Sequence, residues 1–170
     1  RCLSCGRRRW PQGRRRGGGR GQGRTIGGLV LLLRFGRHGA GRSVSALRRL
    51  PTEVDAVVSL CRIRESDVPQ GMPHAEVRLI DSPDFDENPH LDFVLLDAVH
   101  TLEELRAQGR TVLLHCVESH SRTPTVAALY GARLRNIGTD EALRDVLTVL
   151  PDATPNPVFR EALRRLHNAS

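Results

Sequence analysis

Lysine is absent from all 170 residues. Arginine, glycine, alanine and leucine are abundant instead, a pattern of GC-rich coding, so no argument can rest on arginine having been chosen over lysine. Acid is absent from residues 1–50, which carry 14 arginines, whereas residues 51–170 carry 12 arginines against 19 acids. The formal charge of +7 is therefore +14 in front and −7 behind, and the pI of about 10.7 describes the front alone. Long hydrophobic runs are absent too. The longest aliphatic run, Leu29-Val30-Leu31-Leu32-Leu33, is far short of a membrane span. Arginines precede it, but it is short for a signal sequence and no small-residue cleavage site follows. Cysteine is scarce: Cys2, Cys5, Cys61 and Cys116 are too few and too scattered for a disulfide framework. That points to a reducing, cytoplasmic setting. There is no internal repeat and no cluster of metal-ligating residues, so neither a metal nor another cofactor is expected.

What is present divides into two parts. Residues 1–42 are expected to be a disordered, low-complexity Arg/Gly-rich segment or linker, with almost nothing to bury over residues 1–24. Such an arm either binds RNA or another polyanion weakly through phosphate contacts or simply connects. Cys2-x-x-Cys5 is half of a zinc pattern with no second pair at a useful spacing. Within this front part, residues 29–35 read as one edge strand and residues 36–42 as a flexible connection. From residue 43 to 170 the composition is that of a globular domain with room for a full core. Strands are expected over 54–60, 75–80 and 111–114, and helices over 45–50, 91–108, 124–136 and 140–150. Apolar residues at 91, 94, 95, 98, 99, 102 and 105 have helical spacing. Gly109 ends that helix, and Thr139 is expected to cap the run from Asp140. Asn156-Pro157 is a cap followed by proline at the first helical position, opening a final helix to about His167. Strands alternating with helices give an α/β domain with a central, largely parallel (mixed) sheet flanked by helices. Cys61, at a strand end, reads as a small buried hydrophobe or as a resolving thiol for Cys116.

The chemistry concentrates in His115-Cys116-Val117-Glu118-Ser119-His120-Ser121-Arg122-Thr123, a polar loop between a strand and a helix. A loop in that position turns backbone N–H groups, here of residues 117–121, toward one spot and makes a nest for a tetrahedral oxyanion, aided by the helix N-terminal field. The same field favours a thiolate at Cys116, which under a bound phosphate is an in-line nucleophile. Arg122 can grip two phosphate oxygens. Thr123 can donate a hydrogen bond to the sulfur, and His115 can order the loop from the side. Glu118 either orients Arg122 or points into solvent, and His120 is expected on the rim, with a second proton donor as its sharper reading.

The string HC-x5-RT after a hydrophobic strand resembles the signature of the protein tyrosine and dual-specificity phosphatases. The likeness extends upstream through Val77-Arg-Leu-Ile-Asp81-Ser-Pro-Asp84, then a helix, then Gly-Arg-Thr-Val-Leu-Leu-His-Cys, and covers roughly residues 44–169. It looks nearest to bacterial phosphatase-like domains that also occur fused behind ADP-ribosylglycohydrolases, and the first residue is Arg rather than Met, so a piece of a larger protein is expected. The resemblance implies a dual-specificity phosphatase-like fold and a metal-independent reaction on a phosphorylated protein or another phosphomonoester. Cys116 would form a phosphocysteine and an aspartate would act as general acid. Asp81 is the first candidate for that acid, Asp84 the second and Asp86 the third. Where the family usually has glycine, this chain has Ser119, which motivates an alternative: a catalytically weak pseudo-phosphatase that binds phosphate or phosphoprotein. An RNA-associated protein acting through the arm, and a sulfurtransferase with a cysteine loop, are weaker readings.

Overall fold

The structure is a computed structural model and describes residues 25–26, 29–31, 47 and 50–167. Its strands are β1 (Thr25–Ile26), β2 (Leu29–Leu31), β3 (Ala56–Ser59), β4 (His74–Glu76) and β5 (Val112–His115). They form one sheet in the order β1-β2-β5-β3-β4. β2, β5, β3 and β4 run parallel, and β1 pairs antiparallel with β2. The centre is β5 and β3, each buried at every position. Both are apolar for nearly their whole length because parallel strands bury both faces.

Among the described residues, the helices that pack on the sheet are α1 (Leu91–Ala107), α2 (Arg122–Arg135), α3 (Thr139–Val149) and α4 (Pro157–His167). Side chains alternate across the strands. Ala56, Val58, Val112 and Leu114 join the large core that all four helices share. Val57 and Leu113 point the other way, into a smaller cluster with Leu47, Val54 and Val68. α1 contributes Leu91, Leu95, Ala98, Val99, Leu102 and Leu105 at the spacing read from sequence. Each fully buried leucine among them contributes about 2–3 kcal/mol. α2 is buried at every residue from Thr123 to Ala132, so it is the central helix of the layer. It ends where Asn136 takes the left-handed conformation (φ 54°) and the Ile137 N–H reaches back to the Ala132 carbonyl. Among the described residues, no helix is long and apolar enough to cross a membrane.

Several expectations need correction. The strand near residue 29 is not an edge: β2 lies between β1 and β5, because Thr25–Ile26 supplies a hairpin partner. These two strands precede residue 43, so the division at 42/43 does not coincide with the limit of the sheet. Strand pairing at β4 stops at Glu76, apart from a bond from the Val77 N–H to the Ser59 carbonyl. Asp81 therefore stands beyond the strand rather than at its end. Thr139 does not cap α3: Gly138 holds the cap position, and the Thr139 hydroxyl donates to the Leu163 carbonyl, tying α3 to α4. The arm over residues 1–24, the Cys2/Cys5 pair, the 36–42 connection and the 45–50 helix, Leu47 and Leu50 apart, lie outside the described residues.

Candidate active site

The loop leaving β5 is short, so its backbone must turn sharply before α2 can begin. Ser119 makes that turn with φ 58°, the left-handed region usually left to glycine. This places the Ser119 N–H 3.2 Å from the Cys116 sulfur, which is almost fully buried. The carbonyl of Ser121 accepts from both the N–H and the hydroxyl of Thr125, which starts α2. Two further bonds hold the loop from outside: the Thr154 N–H donates to the His120 carbonyl, and the Asn156 N–H donates to the Ser121 hydroxyl. A left-handed L-residue costs about 1–2 kcal/mol, part of which glycine returns through its looser unfolded chain. Ser119→Gly is therefore expected to keep the loop and to raise stability by up to about 1 kcal/mol, measured by urea unfolding.

Arg122 is the first residue of α2, and its guanidinium is tethered on three sides. Nη1 donates to the carbonyls of Leu60 and Leu79, at 3.4 and 3.3 Å. Nε lies 3.5 Å from Oδ2 of Asp81, an ion pair whose N–H is not aligned for a hydrogen bond. Asp81 is the acid that faces Arg122; Glu118 is exposed and Arg122 is not its partner. Asp84 and Asp86 are exposed, and the Asp84 carboxylate accepts from the Asp86 N–H as the cap of a 3-10 turn over Phe85–Glu87.

The acidic loop is fastened by two asparagines that sequence reasoning missed as site residues. Asn88 brackets Ile80, accepting from its N–H and donating to its carbonyl. Asn156 caps α4 by accepting from the Phe159 N–H, as expected, and its amide also donates to Asp81 and to the Ser82 carbonyl at 3.1 Å. A helix cap was legible in Asn156-Pro157; the second use of the same side chain was not.

His115 is fully buried at the end of β5. One ring nitrogen is 3.3 Å from the Cys116 carbonyl and the other 2.7 Å from the Ser59 hydroxyl. Burial pushes its pKa down to about 4. Unfolded, the same imidazole titrates near 6.5. Between those values the unfolded chain holds the extra proton, so His115 stabilises the fold fully above about 6.5 and loses that contribution as the pH falls toward 4. The loss is about 3 kcal/mol. His74, also lowered mainly by burial, acts in the same direction. Urea unfolding at pH 7 and pH 4.5 is expected to show this drop, with a smaller one in His115→Gln.

The hydroxyl of Thr123 is buried and makes no hydrogen bond, so the expected bond to sulfur is absent and the Ser119 N–H stands there instead. His120 is half-buried with Nε2 unpartnered. Val117 is exposed. Cys61 is a buried free thiol whose pKa burial pushes up to about 11, with Arg122 pulling it down and Cys116 adding to the rise. A thiol held that high is a poor nucleophile, which favours the reading of Cys61 as a small buried hydrophobe. Among the described residues, no group of three His, Cys, Asp or Glu is arranged to hold a metal ion.

The arrangement can be compared with known proteins. Human DUSP28 superimposes with a TM-score of 0.68 at 24% identity, over 86% of this chain and 93% of that one. The chain has the dual-specificity phosphatase fold. A tyrosine phosphatase, OH1 from Orf virus, shares this phosphatase fold with a TM-score of 0.62 at 16% identity, over 78% of this chain and 82% of that one. Among curated proteins, Dual specificity protein phosphatase 15 of Rattus norvegicus is 28% identical over 109 residues, 63% of this chain and 44% of its own length. Human Protein phosphatase Slingshot homolog 3 is 29% identical over 111 residues, 65% of this chain and 16% of its own. These relatives are protein phosphatases, and the chain spans less than half the length of each. No family model matches.

Proposed function

We propose that this chain is a metal-independent phosphomonoester hydrolase of the protein tyrosine/dual-specificity type. The observation that carries the reading is the convergence on one loop of a buried cysteine, an arginine anchored at the helix start and an aspartate facing that arginine. The Cys116 thiolate attacks phosphorus, the bond to the leaving oxygen breaks, and Asp81 gives that oxygen its proton. Water then attacks the phosphocysteine, Asp81 takes a proton back, and the phosphorus–sulfur bond breaks to release phosphate. The N–H groups of Val117, Glu118, Ser119, His120 and Ser121 and the guanidinium of Arg122 hold the phosphoryl oxygens. His115 supports the loop through the Cys116 carbonyl.

The substrate class is a phosphorylated protein or another phosphomonoester, in a reducing, cytoplasmic setting. The narrower likeness to bacterial domains fused behind ADP-ribosylglycohydrolases belongs to the same proposal, as does weak polyanion binding by the N-terminal arm. The pseudo-phosphatase alternative rested on Ser119. Its φ of 58° is the one glycine would supply, and that supports a competent loop.

The test is hydrolysis of p-nitrophenyl phosphate with and without chelator, together with acid-quench mass spectrometry for a phosphorylated Cys116. Chelator-resistant turnover with a trapped phosphocysteine is expected; a chelator-sensitive reaction, or no covalent adduct, would overturn the mechanism. Asp81→Asn is expected to lower kcat about 10²–10³-fold on a phosphate ester with a poor leaving group and to remove the fall in rate on the alkaline side, where a general acid loses its proton. Asp84→Asn and Asp86→Asn should stay near wild type.

A further inference from the structure

Resting on the phosphatase reading, we propose that Ser59 and His74 are positioning residues for the cysteine loop, acting through His115. Ser59 ends β3 directly opposite His115 at the end of β5. Its hydroxyl lies between two imidazoles, 2.7 Å from Nε2 of His115 and 3.0 Å from Nε2 of His74. Ser59 shares the strand face of Val57, so the three side chains run along the sheet face opposite the helices.

The direction of every bond in this chain follows from one end. The Cys116 carbonyl can only accept, so Nδ1 of His115, 3.3 Å away, carries the proton. A fully buried, neutral imidazole has one N–H, which leaves Nε2 as an acceptor. The Ser59 hydroxyl must then donate to Nε2 of His115. With its only proton given to His115, the hydroxyl oxygen accepts from Nε2–H of His74. The polarity runs inward, from His74 to Ser59 to His115 to the Cys116 carbonyl.

The consequence for the loop is geometric. In a trans peptide C=O and N–H point in opposite directions, and the described residues contain no cis peptide. Holding the Cys116 carbonyl toward buried His115 turns the Val117 N–H to the opposite, outer side of the loop, where an anion can reach it. If Ser59 stops donating, the other His115 tautomer competes, its Nδ1 lone pair faces the Cys116 carbonyl, and that peptide is no longer held. Which ring nitrogen carries the proton is set by the bond the other one makes. His74 is half-buried, with Glu65 and Glu76 the acids acting on it, and it remains an Nε2–H donor whether neutral or protonated. The relay therefore starts at a residue that solvent can reach and ends at the nucleophile's own carbonyl.

The experiment uses the full chain and reads three quantities: the ¹⁵N shifts of the His115 ring, the Kd for inorganic phosphate, and kcat on p-nitrophenyl phosphate. In the wild type Nδ1 should be the protonated nitrogen. In Ser59→Ala the tautomers should mix, phosphate should bind about tenfold more weakly, and kcat should fall by a similar factor. His74→Leu, at a half-buried position, should do the same more mildly. His74→Gln, which keeps an N–H donor at similar reach, should restore most of the loss. An Nε2–H tautomer in the wild type, or unchanged tautomer and phosphate binding in both Ser59→Ala and His74→Leu, overturns the relay. Absent wild-type turnover with the tautomer and phosphate shifts intact would sink the phosphatase reading and leave the relay standing.

Discussion

Cys116→Ser is expected to abolish hydrolysis of p-nitrophenyl phosphate, by on the order of 10⁵-fold or more, while the protein still folds and binds phosphate. Serine differs from cysteine there by one atom in a buried position, so the packing change is small. The chemical change is large. A hydroxyl needs a base to remove its proton as it attacks, and the histidine next to it in the chain is already committed. One nitrogen of His115 serves the Cys116 carbonyl and the other the Ser59 hydroxyl. Its pKa of about 4 leaves it little appetite for a proton. His115 therefore cannot rescue a serine as a histidine does in a serine hydrolase. Phosphate affinity measured by isothermal titration should stay within a few-fold of wild type. Residual turnover above about 1% would mean that another group is the nucleophile.

Arg122→Lys is expected to cost about 10³-fold in kcat/KM, although it preserves the charge. The guanidinium is used as a fork. Nη1 spans the carbonyls of Leu60 and Leu79, which belong to the chain after β3 and the chain after β4, while Nε faces Asp81. An ammonium is a point donor on a flexible stem and cannot hold these directions and two phosphoryl oxygens together. The loss should appear in both kcat and KM, because charge grows on the phosphoryl oxygens as the transition state forms and the ground state is gripped by the same atoms. The approach of Asp81 should loosen as well, so the alkaline limb of the pH–rate profile should flatten in this variant. A loss confined to KM would assign Arg122 to substrate capture alone.

The segments that sequence made legible share one property: their determinants are local. The apolar run 112–114, the His-Cys pair, the arginine at the helix start and the following helix formers all sit within about twenty residues, and they appear in the structure as β5, the loop and α2. α1 was equally plain, because six buried residues at helical spacing need no distant partner to be recognised. Ser59, His74, Asn88 and Asn156 carried no such signal as loop supports. Each is a single polar residue without periodicity, and its part depends on a partner far along the chain, 56 residues for Ser59 with His115 and 75 for Asn156 with Asp81. The strand at Leu29–Leu31 was legible, but its partner Thr25–Ile26 was missed for a related reason: two residues beside an Arg/Gly tract look like the end of that tract until the pairing with β2 is seen.

By itself the sequence determined the α/β class, the strand–loop–helix order at Cys116 and the acidic loop that holds Asp81, Asp84 and Asp86, since hydrophobic period, caps and turn residues act over a few positions. Only the tertiary structure decided which aspartate meets Arg122. Asp81, Asp84 and Asp86 are equivalent as letters, five positions apart at most. Asn88 brackets the chain just ahead of Asp81, the Leu79 carbonyl takes the arginine, and the cap of α4 draws in the Asp81 carboxylate. The same was true of Ser119. Its identity argued against a tight loop, and only the bonds made to the loop by Thr154, Asn156 and Thr125 explain how a serine is held in a conformation it disfavours.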